Sequence, residues 1–159
     1  MHLGVRRARA MMLVLLAGCA ASVPTTTVGD ADAAGAWTGA LAQQSSQQFN
    51  LTQSGATVGG TGTITVPPIA PISGPATPAY SGDNFTITSG TFTNPTLTFA
   101  ASLGSNPVGD GTFYHGTLSF SGALTSATSM TGTLTFTPPR TSSQTFAAQT
   151  LTNVTLTRR

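Results

Sequence analysis

The sequence has no lysine and no glutamate. All of its formal charge rests on six arginines and four aspartates in 159 residues. Cysteine and tryptophan occur once each, and histidine twice, as His2 and His115. Each shortage excludes something. A lone cysteine cannot form a disulfide within the chain, so a fold must be held by packing and backbone pairing. A zinc site draws three or four ligands from cysteine, histidine and acids, and such a set is not on offer, so no metal site is expected. Without lysine, and with few arginines, there is no basic stripe for nucleic acid. No apolar run approaches the roughly 18–20 residues of a membrane-spanning helix. Beyond the first 18 residues no window carries the apolar stripe of an amphipathic helix, so no phosphate-cradling loop can lead into one. No cofactor is implied.

What is present begins at the amino terminus. Arg6, Arg7 and Arg9 precede the apolar stretch Ala10–Ala17, and small residues follow. A basic end, a short apolar core and small residues at its exit describe a secretory signal peptide over residues 1–18. Its last residues and the next, Leu16-Ala17-Gly18-Cys19, resemble the lipobox of bacterial lipoproteins. The resemblance implies that the Cys19 thiol is lipidated, that the leader is cut before it, and that the new amino terminus is acylated. Each buried CH₂ adds about 0.8 kcal/mol, so several chains anchor stably where one holds only marginally. The implied partner is therefore a membrane, reached through acyl chains on Cys19, and the implied place is the cell envelope. Ala20, where an aspartate would favour inner-membrane retention, points to the outer membrane of a Gram-negative cell. Once the leader is removed, three arginines face four aspartates, a net charge of −1.

Residues 19–35 are small and polar and are expected to form a flexible tether. A coil of about 15 residues spans roughly 20 Å. From residue 36 to residue 159 the hydrophobic period becomes two. Thr133, Thr135 and Thr137 alternate with Leu134 and Phe136, and the stretches 95–101 and 116–122 repeat the pattern with Leu97, Phe99, Leu118 and Phe120. Such alternation in threonine-rich runs bounded by Gly, Pro, Asn and Ser marks half-buried strands. Eight strands are expected, at about 36–43, 47–53, 57–66, 84–93, 96–103, 112–123, 129–137 and 146–158. Ser54-Gly55 and Asn94-Pro95 supply tight turns. Parity slips between Ile87 and Phe92, which predicts a bulge near Ser89-Gly90. The expected fold class is all-β, an antiparallel eight-stranded up-and-down barrel, with a two-sheet β-sandwich as the alternative. Alternation also fits a membrane-spanning barrel. Most strands carry only two or three large apolar residues and no aromatic girdles, which favours a body beside the bilayer.

The two ends of this unit carry a second resemblance. Gly35-Ala36-Trp37 opens the first strand and Arg158 closes the last, on the parity of Val154 and Leu156. In a closed meander these strands are neighbours, and Arg158 could lie across the Trp37 indole, worth about 0.5–2 kcal/mol. This is similar to the calycin signature shared by lipocalins and avidin-type barrels, with Gly35, Trp37 and Arg158 as its residues. Trp37 is the only tryptophan, so the later-strand tryptophans of biotin-binding avidins are missing, and biotin is not implied.

Two readings of function follow. In the first, the barrel holds a small lipophilic ligand lined by Phe49, Phe85, Phe99, Phe120 and Phe136, with Tyr80 over one end. The proline-rich stretch 67–83, with five prolines, would close the mouth through Ile69, Ile72 and Tyr80, or else it is a stiff insertion. In the second, the core is solid and the exterior meets another envelope protein. Asp110 and His115 allow a hydrolytic arrangement by count alone. No nucleophile elbow surrounds them, and His115 shares the polar parity of Thr117 and Ser119, so catalytic residues are not expected.

Overall fold

The computed structural model describes residues 31–41, 45–76, 79–104 and 113–159. The leader, Cys19, most of the tether and Asp110 lie outside the described residues. Ten strands follow one another: β1 (Gly35–Leu41), β2 (Ser45–Ser54), β3 (Thr57–Ile69), β4 (Tyr80–Thr93), β5 (Thr96–Leu103), β6 (Phe113–Tyr114), β7 (Gly116–Ser126), β8 (Ser129–Thr137), β9 (Arg140–Thr141) and β10 (Gln149–Arg158). Eight of them close into an antiparallel barrel in the order β1-β10-β8-β7-β5-β4-β3-β2. This is the up-and-down barrel expected from the sequence, consistent with a calycin-like barrel, and not the sandwich. Closure is made where Trp37 pairs with Arg158 and Thr38 with Thr157.

The period-two pattern maps directly onto inside and outside. On β5, Leu97, Phe99, Ala101 and Leu103 are buried while Thr96, Thr98 and Ala100 are exposed. Threonine suits the outer wall because its branched Cβ favours extended backbone and its hydroxyl stays in water. The interior is filled by aromatic rings set against glycines on neighbouring strands. A Cβ on Gly132 would lie 2.8 Å from Phe120 Cζ, and one on Gly122 2.7 Å from the same atom. Gly62 likewise leaves its space to the Phe85 ring. Large and small residues thus interlock across adjacent strands.

The expected bulge is present. Ile87 pairs with Ala101 but Ser89 with Ala100, so one residue of β4 is unopposed. A second bulge falls in β10 between Leu151 and Val154, where Asn153 takes a φ of 56°. Asparagine tolerates that left-handed conformation better than most residues.

Several expected boundaries shift, among them the last strand, which begins at Gln149 rather than at 146. The stretch 67–83 is not one loop. β3 continues to Ile69 and β4 begins at Tyr80, and the ladder skips from Thr65–Gly82 to Ile69–Tyr80 across Pro67 and Pro68, which lack an N–H to donate. The expected strand 112–123 breaks at His115, so that Phe113–Tyr114 leaves the barrel and pairs with Arg140–Thr141. The expected tether 19–35 also gives up its last residues. Gly35 belongs to β1, and Ala33 is completely buried.

The two poles of the barrel differ. At one, here the base, strands are joined by the two-residue links Gly55-Ala56, Asn94-Pro95 and Ala127-Thr128, the shortest that an antiparallel pair allows. The strand ends that flank the longer links, between β3 and β4, β5 and β7, and β8 and β10, lie at the opposite, loop pole.

Candidate functional site

At the base, the chain enters the barrel through a set of mutual bonds. The Trp37 indole N–H donates to the Ala33 carbonyl at 2.9 Å, and the Ala33 N–H donates to Gln53 Oε1 at 2.7 Å. The Arg158 guanidinium lies over the Trp37 ring, 4.7 Å from its centroid. It donates to the Asp32 carbonyl and, at 2.9 Å, to the Asp32 carboxylate. The Arg159 N–H closes the seam on the Ala36 carbonyl at 2.9 Å. Gly35 sits beneath the arginine with a φ of 121°, a conformation that glycine alone adopts readily. The three signature residues are therefore brought together. Asp32 and Ala33, their partners here, lie in a stretch that reads as a tether.

In the middle of the barrel, four of the five named phenylalanines form one cluster. Phe49 meets Phe85 and Phe99 edge-on, each at 5.4 Å between ring centroids, and Phe120 at 6.0 Å. Phe99 stacks on Phe120 at 5.5 Å and on Phe85 at 6.3 Å. These are contact distances, each pair adding about 0.5–1.5 kcal/mol beyond burial. The rings are one another's neighbours, and they occupy the centre that a ligand would need. Phe136 belongs to a different group, with Tyr80 at 6.2 Å and Tyr80 in turn 6.2 Å from Phe146. A shallow open groove of about 290 Å³ lies over the β4 bulge on the outer wall, bordered by Ser89, Thr91, Thr98 and Ser119.

Polar groups stand out against this interior. Gln47 is 1% exposed, and neither its Oε1 nor its Nε2 has a hydrogen-bond partner. It faces Gly39 across the β1–β2 ladder and Ile64 across β2–β3. The Tyr80 hydroxyl is also buried without a partner. Burial, and secondarily the nearby Asp83 charge, push the Tyr80 phenol far above its usual range. Asp83 is itself raised by burial, opposed by the Asn84 N–H it accepts and by the field of His115. His115 is exposed, as expected, and its Nδ1 donates to the Gly104 carbonyl at 2.6 Å. Asp110, the other residue of the hydrolytic arrangement allowed by count, lies outside the described residues.

The loop pole is covered by a small cap. Tyr114 pairs with Arg140, and Thr141 and Gln144 exchange backbone hydrogen bonds in a tight turn. Thr145 bridges to Ser73, with a second bond from the Ile72 N–H to the Thr145 carbonyl. Four short segments, 113–114, 140–141, 144–145 and 72–73, therefore lie side by side. The Gln144 side chain locks them by donating to the Pro75 carbonyl at 2.9 Å. Thr141 and Gln144 are buried within the cap, while Arg140 lies on its outer face over the Tyr114 ring at 4.2 Å. Of the three expected lid residues, Ile69 and Tyr80 pack against the core, whereas Ile72 is 70% exposed.

Fold and site together define a closed antiparallel barrel with a packed aromatic middle, a sealed base and a capped loop pole. The chain matches no family model, no curated protein and no solved structure.

Proposed function

We propose that the chain is an acyl-anchored lipoprotein of the bacterial envelope, on the outer membrane in a Gram-negative cell, whose barrel is a solid body presenting its loop pole to another envelope component. The observation that carries this reading is the route of entry. The chain reaches the barrel through Asp32 and Ala33 at the base, on the side opposite the cap. A tether running from an acylated Cys19 would hold the base towards the lipid and turn the cap away from it. The outward threonines and inward phenylalanines support a body beside the bilayer, because a spanning barrel would reverse them. The mutual packing of Phe49, Phe85, Phe99 and Phe120 supports a solid core.

The test is fractionation in the native host. Cys19→Ser should move the protein from the membrane fraction to the soluble one, and a variant that stays membrane-bound refutes the anchor. A second reading, a small uncharged ligand in the barrel, is favoured by the unpartnered Gln47 carboxamide and Tyr80 hydroxyl. Titrating Trp37 fluorescence with fatty acids, retinoids and quinones distinguishes the two. A saturable change supports the ligand, and a flat response supports the solid body.

A further inference from the structure

The cap carries a combination of side chains found nowhere else on the described surface. The two large hydrophobic residues that stand exposed are Ile72, at 70%, and Tyr114, at 41%. Both lie in the cap, one in each outermost segment. Between them is Arg140, exposed, with its guanidinium held over the Tyr114 ring at 4.2 Å and no carboxylate among the described residues paired with it. An arginine laid on an aromatic face loses rotamer freedom before any partner arrives. Its in-plane N–H groups remain free to grip a carboxylate in two parallel bonds. Tyrosine and arginine are also the residue types that most often dominate protein interfaces.

We infer that the outer face of the cap, centred on Tyr114 and Arg140, is the docking surface for a protein segment that presents a carboxylate beside an apolar side chain, with Ile72 exposed on an outermost segment of the cap. The partner is a protein rather than a polyanion, because one cation cannot hold a phosphate backbone that is bound through many. Among the described residues, a second copy of this chain offers no free aspartate to supply that carboxylate. Of the described aspartates, Asp32 is already paired with Arg158, and Asp83 is partly buried and accepts the Asn84 N–H. The docking face rests on the reading that the loop pole meets another envelope component, and not on the anchor, which bears only on the direction the face points.

The experiment uses the full-length chain in its host, with the photo-crosslinking residue p-benzoylphenylalanine in place of Ile72. One discrete adduct is expected, mapping to a segment of the partner that contains Asp or Glu. Arg140→Glu should lower its yield roughly tenfold, the loss of one close charge pair at an interface. Arg140→Lys should lower it less, and Arg159→Glu, at the base, should leave it unchanged. Unaltered Trp37 emission in each variant shows that the barrel is intact. The inference is overturned by the absence of an adduct, by an adduct of twice the chain's mass, by attachment to glycan or lipid, or by equal yields from Arg140→Glu and Arg159→Glu. None of these outcomes depends on whether Cys19→Ser releases the protein.

Discussion

Gln47 occupies an inward position of β2 between apolar neighbours, and its carboxamide makes no hydrogen bond within the protein. A buried, unsatisfied amide costs about 1–3 kcal/mol. Gln47→Met keeps the length of the side chain and removes the polar atoms, so it should raise the urea midpoint by the equivalent of about 1 kcal/mol or more. Asp83 makes a prediction with a sign. Its folded pKa lies above the ordinary carboxylate value, so the ionised form opposes folding at neutral pH. Asp83→Asn should therefore be more stable than the parent at pH 7. The difference should close as pH falls into the carboxylate range, where the parent takes up its proton. Melting curves from pH 7 to pH 4 would show it. Arg158 acts through both the Trp37 ring and Asp32, but the ion pair is partly in water and is worth at most about 1 kcal/mol. Arg158→Met should cost about 1–2 kcal/mol in urea titrations and alter Trp37 emission, the ring contact being the larger part. At this scale the sequence was half legible. Trp37 and Arg158 could be paired because strand order alone brings chain ends together. Gln47 shares the parity of Phe49 and Leu51, and a polar residue in that register is the sequence signal that marks it. Asp32 and Ala33 had none, lying in a stretch whose composition is that of a linker.

The strands themselves were readable because threonine and large apolar residues alternate with little interruption, and because closed sheets leave one face dry and one wet. Their ends were less so. Proline usually stops a strand, yet Pro67 and Pro68 sit where the β3–β4 ladder already skips, so no donor is missed. The break at His115 was hidden, because Tyr114 and Phe113 continue the composition of β7 while pairing with residues some 27 positions later. The glycines within strands are explained by the rings they face. Gly132→Ala would place a methyl 2.8 Å from Phe120 Cζ, 2.7 Å from Gly122 Cα and 2.5 Å from the Ser121 carbonyl. Overpacking of this kind costs about 1–3 kcal/mol. Phe120→Leu in the same chain should recover part of that loss but not all, since the backbone contacts remain. A double-mutant cycle in urea measures the coupling, and strict additivity would contradict the ring-in-gap packing.

Within the barrel, each strand pairs with the barrel strand that follows it in the chain except at one seam, where β1 meets β10. That seam gives the domain a long-range contact that most of its strand pairs lack. Barrels and sandwiches dominated by distant pairings fold in milliseconds to seconds. Refolding followed by Trp37 fluorescence should fall in that range. Trp37 should reach its native emission only with the slowest major phase, because its ring is covered by a residue from the far end of the chain. Early recovery of that signal would place seam formation before the rest of the barrel. Whether the centre would be hollow or filled was not legible at all, since the same phenylalanines can line a space or close it. Only their mutual distances decide.

The ordering of that seam bears on biosynthesis. β10 is translated after the seven strands it completes, so the ring cannot shut while those strands are still emerging. A nascent polypeptide that must be threaded through a translocation pore has to stay slack until it is across. For the exported chain proposed above, the staves would be delivered first and the hoop last.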